Sequence, residues 1–539
     1  MKPKPIDLDI EHYDSLSKIK EIKVEWFQID IHKKFRDEFL KIIIPIIKVN
    51  NHEDYKNKKS VFFSINVFFK WFAMDIFRLF ISLTIKKFFS KKKIVIPKKY
   101  KFLNRILKNK IPINSFRKLK NFYLKQGKLE KFIKNSIRFF QINSISDIIF
   151  SKSSSGTVIL FNKFMAKNLK GNKELNYYTD LSYYFKNNLY KFPTLKKSKL
   201  SKRNLFEINF LKKKIFKIFL KFDLRLSNTN KKYVQNLILD SYTFYQFHSK
   251  EITTPKKLYI GTAGSAIWAK LLCALTIMNG GKVINFEHGR GTILHYIIQK
   301  FFTDFSYVST FFNLNHSHNK MNQKRYDKNK KFYSLHKKDV ILNYPQKKIF
   351  NNFALSKLNF KPLIKRKKMK ALYVSTAYLG YGAGFSPWKP DILYLKFQIK
   401  LLTLLGSNNI EVTMKPHPGG YAKTSLSLLK MLNVKVIHQK YEDIVDKEDF
   451  DFFITDHVAS TVFPHMINFS KPTILFDFNS TEINKLLLDD LKSSIYIIKS
   501  KQDKKGELIF DEKLFKKYLY DIKTNKFLNM KRPIQKYYD

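Results

Sequence analysis

The feature that most constrains the fold of this chain is an alternation of short apolar strands with helical segments, which occurs twice. The first series starts with a strand at 257–260, continues with a helix at 266–278, and returns to a strand at 282–286. The second series has its predicted strands at 369–376, 410–414, 434–438, 451–455 and 473–477. Alternating strands and helices build parallel sheets covered by helices. The sequence therefore predicts an α/β protein with two Rossmann-like domains that face a cleft.

Length and composition divide the chain further. With 539 residues, of which 44 % are hydrophobic, the chain is long enough for two or three packed domains. A basic run at 361–370 is the predicted linker between the two α/β units. The predicted parts are a helical basic region at 1–135, an N-terminal Rossmann-like domain at 136–360, a C-terminal Rossmann-like domain at 361–500, and a helical closing segment at 501–539.

The most apolar stretch of the N-terminal region lies at 61–89. Charged residues interrupt it at Lys70, Asp75, Arg78, Lys86 and Lys87. Charges near the centre of a spanning helix are costly, so we do not expect a membrane span. Two interpretations stay open. The stretch is either an amphipathic helix on an anionic membrane surface, with Trp71 on its apolar side, or a core helix of this region.

The net charge of +59 does not by itself indicate a nucleic-acid-binding protein. Only 11 of the 102 basic residues are Arg, the residue that base recognition favours. A lysine-rich composition with few Gly and Pro is typical of an AT-rich genome, so most of the charge is expected on solvated faces. The remaining positive charge is expected to attract anionic lipid or an anionic substrate. Nucleic acid is not an expected partner, because no basic motif of a nucleic-acid fold accompanies the charge.

The single cysteine and the N-terminal residues predict a cytoplasmic protein. Cys273 lies in an apolar helical run, where a small buried residue is the expected role, and no disulfide within the chain is possible. Residues 1–15 contain four acidic residues and no apolar signal-peptide core. Together with the basic charge, this predicts a peripheral protein on the inner face of the cell membrane.

Two polar motifs follow apolar strands of the second series. Lys415-Pro416-His417-Pro418-Gly419-Gly420 follows the strand at 410–414, and Thr455-Asp456-His457-Val458-Ala459-Ser460-Thr461 follows the strand at 451–454. Ligands of open parallel sheets bind at the carboxyl ends of strands. Lys415 offers a point charge, His417 a hydrogen-bond donor, and Gly419 and Gly420 offer backbone N–H groups without a Cβ in the way.

The second motif adds hydroxyls and an acid. Ser460 and Thr461 open a predicted helix at 462–468, so their hydroxyls and N–H groups suit an anion. Asp456 either binds a ribose or amino hydroxyl or caps its own loop. These residues predict phosphate binding, as in a nucleotide-activated donor. The glycine-rich stretch at 378–388 predicts a loop that closes over such a donor.

A candidate catalytic base lies in the first series. The strand at 282–286 ends in Glu287-His288-Gly289-Arg290. Either Glu287 or His288 is able to deprotonate an acceptor hydroxyl, and His288 is preferred because histidine titrates near neutrality. Successive strand residues point to opposite faces, so only one of the two is expected to face a cleft.

Further residues of the first series suit an acceptor or a phosphate. The small-residue turn after the strand at 257–260 contains Gly261, Thr262, Gly264 and Ser265. Arg290 suits an anionic acceptor or a donor carboxylate. The sequence has no His, Cys or carboxylate cluster at ligand spacing, so no metal is expected.

With these motifs the chain resembles GT-B glycosyltransferases that use cytidine-nucleotide donors. The His417-Pro418 pair and the Ser460-Thr461 pair are similar to the donor-phosphate motifs of bacterial sialyltransferases, Kdo transferases of capsule assembly and CDP-glycerol glycerophosphotransferases. The resemblance covers about residues 257–480. It implies that His417, Ser460 and Thr461 bind donor phosphate. His288-Gly289 is similar to the His-Gly of the glycerophosphotransferases, in which the histidine is the proposed base.

The expected function is therefore that of an inverting, metal-independent transferase that builds surface polysaccharide. The resemblance implies a CMP- or CDP-linked sugar or glycerol donor rather than a UDP-linked one, and a membrane-linked glycan acceptor. No cofactor is expected beyond the donor itself. The alternatives are a sugar-nucleotide epimerase of similar fold and a non-catalytic basic scaffold that binds membrane or nucleic acid.

Overall fold

In a computed structural model, the chain is described over residues 6–7, 10, 13, 15–22, 24–25, 27–48, 60–89, 94–95, 100–118, 156–159, 175–177, 200–250, 252–261, 266–287, 304–333, 340–344, 360–363, 367–378, 390–417, 428–445, 449–458, 462–478 and 483–537. Its strands are β1 Ile6–Asp7, β2 Ile94–Val95, β3 Gly156–Ile159, β4 Leu175–Tyr177, β5 Lys257–Ile260, β6 Lys282–Phe286, β7 Thr310–Phe312, β8 Ile341–Asn343, β9 Met369–Val374, β10 Ile410–Lys415, β11 Lys435–Val436, β12 Phe452–Thr455, β13 Thr473–Asp477, β14 Tyr496–Gln502 and β15 Leu508–Phe510.

The α-helices are α1 Leu16–Lys20, α2 Ile29–Ile47, α3 Val61–Val67, α4 Phe69–Phe88, α5 Lys101–Leu107, α6 Lys202–Lys221, α7 Asn228–His248, α8 Ile267–Met278, α9 His316–Tyr333, α10 Asp391–Ser407, α11 Tyr441–Val445, α12 Phe463–Asn468, α13 Leu488–Lys492 and α14 Glu512–Lys523. Short 3₁₀ turns lie at Lys485–Leu487, Lys526–Asn529 and Pro533–Tyr537. Among the described helices, none combines the length and apolar character that a membrane crossing requires.

The strands form two large parallel sheets, which confirms the α/β prediction. The first sheet has the order β4-β3-β5-β6-β7-β8, and its described pairings are all parallel. The second sheet has the order β11-β10-β9-β12-β13-β14-β15, in which only β15 is antiparallel. Counted from β9, its first six strands have the order 3-2-1-4-5-6, which is the Rossmann order with a switch point between β9 and β12.

The second sheet is parallel because its strands are apolar on both faces and are joined by helices. All four residues of β12 are buried, as are the last four residues of β9. Strands buried on both faces read as continuous apolar runs, which is the pattern of a sheet covered by helices. The helix α10 lies between β9 and β10 and ends at Ser407, and Asn409 just beyond it has a φ of 58° that turns the chain into β10. The sequence thus directs the carboxyl ends of these strands to one edge.

The N-terminal helices form a phenylalanine-rich core with helices that are distant in the sequence. Phe35 of α2 stacks on Phe80 of α4, with 3.8 Å between ring centroids, and meets the edge of Phe219 of α6. The stretch at 61–89 forms α3 and α4, and most of α4 is buried. Of the two interpretations of this stretch, the described packing is that of a core helix.

The N-terminal and C-terminal segments each reach elements beyond their own neighbours. The Gln502 side chain at the end of β14 receives the Ile29 N–H at 2.6 Å, and it donates to the Phe27 carbonyl at 2.8 Å. Gly506 has a φ of +77°, and a Cβ there would overlap the Val24 carbonyl. The predicted closing segment begins inside β14 and contains β15 as well as α14. The strand β14 therefore continues across the predicted boundary at 500, while the predicted boundary at 135 lies outside the described residues.

Candidate functional site

Three neighbouring strands of the second sheet end at the same level on either side of the switch point. In the register of the sheet, Lys415 of β10 lies opposite Val374 of β9, and Val374 lies opposite Thr455 of β12. Neighbouring strands are about 4.8 Å apart, so the residues that follow these three ends share one small area. The crevice outside such a switch point is where open parallel sheets bind their ligands.

Lys415 and His417 bring positive charge and a hydrogen-bond donor to this edge. Lys415 is buried, and its carbonyl accepts the Ser375 N–H at 3.1 Å, which ties β10 to the residue after β9. His417 is exposed overall, although the protein partly desolvates its imidazole. This desolvation, followed by the positive charge of Lys415, lowers the pKa of His417 below the ordinary 6.5. An anion between the two groups would favour the protonated imidazole.

Asp456 is the buried acid of the site. Only 4 % of it is exposed, and one carboxylate oxygen accepts the hydroxyls of Tyr373 and Tyr394. The other oxygen accepts the Thr376 N–H at 3.0 Å. Burial, and next the charge of Asp456, raises the pKa of both tyrosines well above its usual range, so the hydroxyls stay protonated and donate. These bonds correspond to the second of the two predicted roles of Asp456, a cap of the strand-end loops.

The hydrogen-bond network around Asp456 extends to Tyr378, the first residue of the predicted closing loop. Gln398 of α10 donates to the Tyr373 hydroxyl at 3.2 Å and accepts from the Tyr378 hydroxyl. Tyr373 and Tyr394 were not among the residues predicted from the sequence. The available signal was a tyrosine inside the otherwise apolar run of β9, which must find a polar partner when buried.

The edge of the first sheet buries its acid. Glu287 continues the ladder of β6 by donating its N–H to the Phe312 carbonyl at 2.9 Å, and the residue is 1 % exposed. Its Oε2 atom accepts the Leu314 N–H at 3.0 Å and lies 3.0 Å from Nδ1 of His318. Burial lowers the pKa of Arg325 to about 10, and the charge of Glu287 opposes this shift. Glu287 therefore points into the protein toward α9.

Asparagines extend this buried network beneath α9. The Asn313 amide donates to Asn319 Oδ1 at 2.7 Å and to the Asn343 carbonyl at 3.3 Å. Asn322 donates to Asn313 Oδ1, and Arg325 approaches Asn322 Oδ1 at 3.4 Å. Sequence reasoning missed these residues because α9 is polar and basic overall, a composition that resembles an exposed linker.

The structure describes only part of the predicted site. Gly261 directly follows β5 and is buried. The remaining predicted residues that lie outside the described parts of the chain are Thr262, Gly264, Ser265, His288, Arg290, Gly419, Gly420, Ser460 and Thr461. Within the described ranges, no group of three His, Cys, Asp or Glu side chains is arranged to hold a metal ion.

Chemically, the described part of the second edge suits an anionic ligand, whereas the described part of the first edge contains a buried acid. Lys415 ends β10 and the partly desolvated His417 lies two residues beyond it, while Asp456 after β12 accepts hydrogen bonds from protein donors. Comparisons with models of protein families, with curated proteins and with solved structures find no match for the chain.

Proposed function

We propose that the chain is a metal-independent transferase that binds a nucleotide-activated donor at the carboxyl edge of its second sheet. The observation that carries the proposal is the alignment of Lys415 with the ends of β9 and β12 at a Rossmann-type switch point, with His417 two residues further on. Backbone and side-chain donors at such a point are positioned for the phosphates of a nucleotide.

The charge of the leaving nucleotide gives these residues a chemical role. When the bond between the transferred group and the donor phosphate breaks, negative charge grows on the phosphate oxygens. A positioned lysine and a histidine stabilise that charge without a metal ion. In the nucleotide-free protein the pKa of His417 is lowered. Binding of the phosphate then promotes protonation of His417, because a neighbouring anion favours the imidazolium. Ser460 and Thr461 add hydroxyl donors in this proposal.

The acceptor side of the proposal uses the first sheet in a GT-B arrangement with a cleft between the sheets. His288 takes the proton of the acceptor hydroxyl as the nucleophile attacks the donor. Glu287 acts as a positioning residue, because its buried carboxylate holds Leu314 and His318 rather than facing outward. The resemblance to cytidine-dependent transferases favours CMP- or CDP-linked donors and a membrane-linked glycan acceptor on the cytoplasmic side.

Calorimetric titration with CMP, CDP, UDP and GDP tests donor binding. We expect a cytidine nucleotide to bind, and the His417→Ala variant to lose roughly tenfold in affinity, the size of one charge-assisted hydrogen bond. His316→Ala is the matched control, because His316 is also exposed but lies at the first sheet. A preference for UDP moves the proposal toward the epimerase. Absence of binding by a folded sample overturns it in favour of the basic scaffold.

A further inference from the structure

The helix α6 has one face buried in the protein and an opposite face that the rest of the chain leaves open. Its buried side packs on α2, α3 and α7 through Ile208, Leu211, Ile215 and Ile218. On the outer side Phe206 is 63 % exposed and Leu220 is 56 % exposed. Large apolar side chains exposed along one helix face mark an interaction surface more often than isolated ones do.

The aromatic part of this face is preordered. Phe206 stacks on Phe210 with 5.9 Å between ring centroids, and Phe210 in turn lies 6.2 Å from Phe62 of α3. The Lys214 ammonium group lies 5.1 Å from the centre of the Phe210 ring. Because the rings are already held together, little side-chain entropy is lost when they enter an apolar environment.

Basic residues frame the apolar ones. At 100° per residue, one stripe of the helix contains Lys202, Phe206, Phe210, Lys213, Lys217 and Leu220, which together we name the α6 face. The only acid of the helix, Glu207, is buried and turns inward, where it accepts the Ser60 hydroxyl at 2.9 Å and the Val61 N–H at 2.6 Å. The acid thus stabilises the start of α3 and does not neutralise the outer stripe.

We propose that the α6 face docks the protein on an anionic lipid bilayer. Its lysines would meet the headgroups, and Phe206 and Leu220 would enter the interfacial layer, the arrangement of interfacial amphipathic helices. The stretch at 61–89, the other candidate for membrane contact, is packed in the protein core, because most of α4 is buried. A lipid surface fits better than nucleic acid, because Leu220 offers no ring for a base to stack on and the cations are lysines.

The docking surface deepens the proposed function, since it would bring the enzyme to a membrane-linked acceptor, but it is measured separately. Sedimentation of the full chain with vesicles, without nucleotide, compares phosphatidylcholine alone with phosphatidylcholine containing phosphatidylglycerol. We expect binding to the anionic vesicles only. Changing Lys213→Glu and Lys217→Glu together should weaken binding at least about 30-fold, from roughly 1 kcal/mol per lysine. Phe206→Ser with Leu220→Ser should weaken binding to the same vesicles at high salt as well.

The helix α14 supplies a matched control. Lys513, Lys517 and Tyr520 have the same spacing as Lys213, Lys217 and Leu220, and Tyr520 is 58 % exposed. The double change Lys513→Glu and Lys517→Glu should leave vesicle binding within about twofold, a difference far below one lysine contact. Equal losses in the two double variants would overturn the proposal, because they would indicate a general charge effect.

Two further outcomes count against the α6 face. Binding that survives all changes at α6 contradicts it, as does a variant that loses single-stranded RNA binding while its vesicle binding stays unchanged. Calorimetry of the α6 variants with the nucleotide bound by the wild type separates this proposal from the transferase proposal. We expect their nucleotide affinity to stay unchanged, so a failure of docking and a failure of donor binding appear in different measurements.

Discussion

The two sheets have the same hydrogen-bonding arrangement at their carboxyl edges but surround it with different side chains. In each, an acid after one strand accepts the backbone N–H two residues beyond the end of a neighbouring strand. Asp456 after β12 accepts from Thr376 after β9, and Glu287 after β6 accepts from Leu314 after β7. Asp456 is covered by neutral tyrosine hydroxyls, whereas Glu287 lies beside His318 with Arg325 close by.

The two acids differ in the charge of the side chains that surround them. At the first edge the cation Arg325 is buried with the acid, so the charges offset each other inside the protein. At the second edge the described hydrogen bonds to Asp456 come from neutral groups, and Lys415 lowers the pKa of His417. A buried acid therefore organises the loops at both edges, and at the second edge a lysine and a histidine are placed to attract an anion.

The largest expected effect is on stability, at Asp456. Asp456→Ala removes the carboxylate that accepts from two buried tyrosine hydroxyls, whereas the Thr376 N–H keeps the Tyr394 hydroxyl as an acceptor at 3.0 Å. Since each unsatisfied buried donor costs about 1–3 kcal/mol, we expect the free energy of unfolding to fall by roughly 3–5 kcal/mol. Urea denaturation measures it. Asp443→Ala, at an exposed acid of helix α11, is the control and should change stability by less than about 0.5 kcal/mol.

The next effect separates a positioning acid from a catalytic one at Glu287. Glu287→Ala leaves the buried Arg325 without its nearest negative charge and should cost about 3 kcal/mol in urea unfolding. Glu287→Gln keeps an acceptor for the Leu314 N–H and should cost less than half of that. If Glu287→Gln instead abolishes turnover while stability is unchanged, Glu287 is the base and the contrast between the two edges fails.

A smaller effect, on binding, is expected at Lys415. Lys415→Met keeps the apolar stem in its buried position and removes the charge, so nucleotide affinity should fall about 10- to 30-fold. The same change should raise the pKa of His417, because the positive charge of Lys415 contributes to its lowering. Calorimetry and imidazole NMR check the two results. An unchanged pKa would mean that the two groups do not share the site.

The smallest effect is the pH dependence of nucleotide binding. In the nucleotide-free protein the pKa of His417 is below 6.5, and a bound phosphate raises that pKa. Nucleotide binding is therefore accompanied by uptake of a proton. Affinity should therefore rise as the pH falls through the pKa of the complex, and the rise should end below the pKa of the free protein. His417→Asn should remove the part of this dependence that the titration of the nucleotide phosphate does not explain. An identical pH profile for the variant would contradict the role of His417.

The sequence predicts the strand ends of the site well, because buried parallel strands are long apolar runs with polar residues directly after them. The strand predicted at 410–414 is observed as Ile410–Lys415, and the one at 451–455 as Phe452–Thr455. Both Lys415 and Asp456 follow from this pattern. The partners of Asp456 do not, since Tyr394 reaches it from α10, on a connection whose orientation only the fold determines.

The N-terminal region illustrates what sequence cannot supply. The sequence of the apolar stretch at 61–89 is compatible with contact to lipid and with burial in protein. In the structure it packs against α6, which lies more than a hundred residues later in the chain. The charge pattern of α6 similarly gives no warning that Glu207 turns inward. Which of two similar helices faces solvent depends on packing partners that are distant in the sequence. The exposed helix is therefore recognised only in the packed structure.

The central claim is that a nucleotide phosphate binds beside His417, and the titration of this imidazole tests it most directly. NMR of histidine-labelled protein, with His417→Asn to assign the signal, gives the pKa with and without saturating CDP, CMP, UDP or GDP. The account predicts a pKa below 6.5 in the free protein and a clear rise with the nucleotide that binds most tightly. A pKa that none of the four nucleotides changes would contradict it.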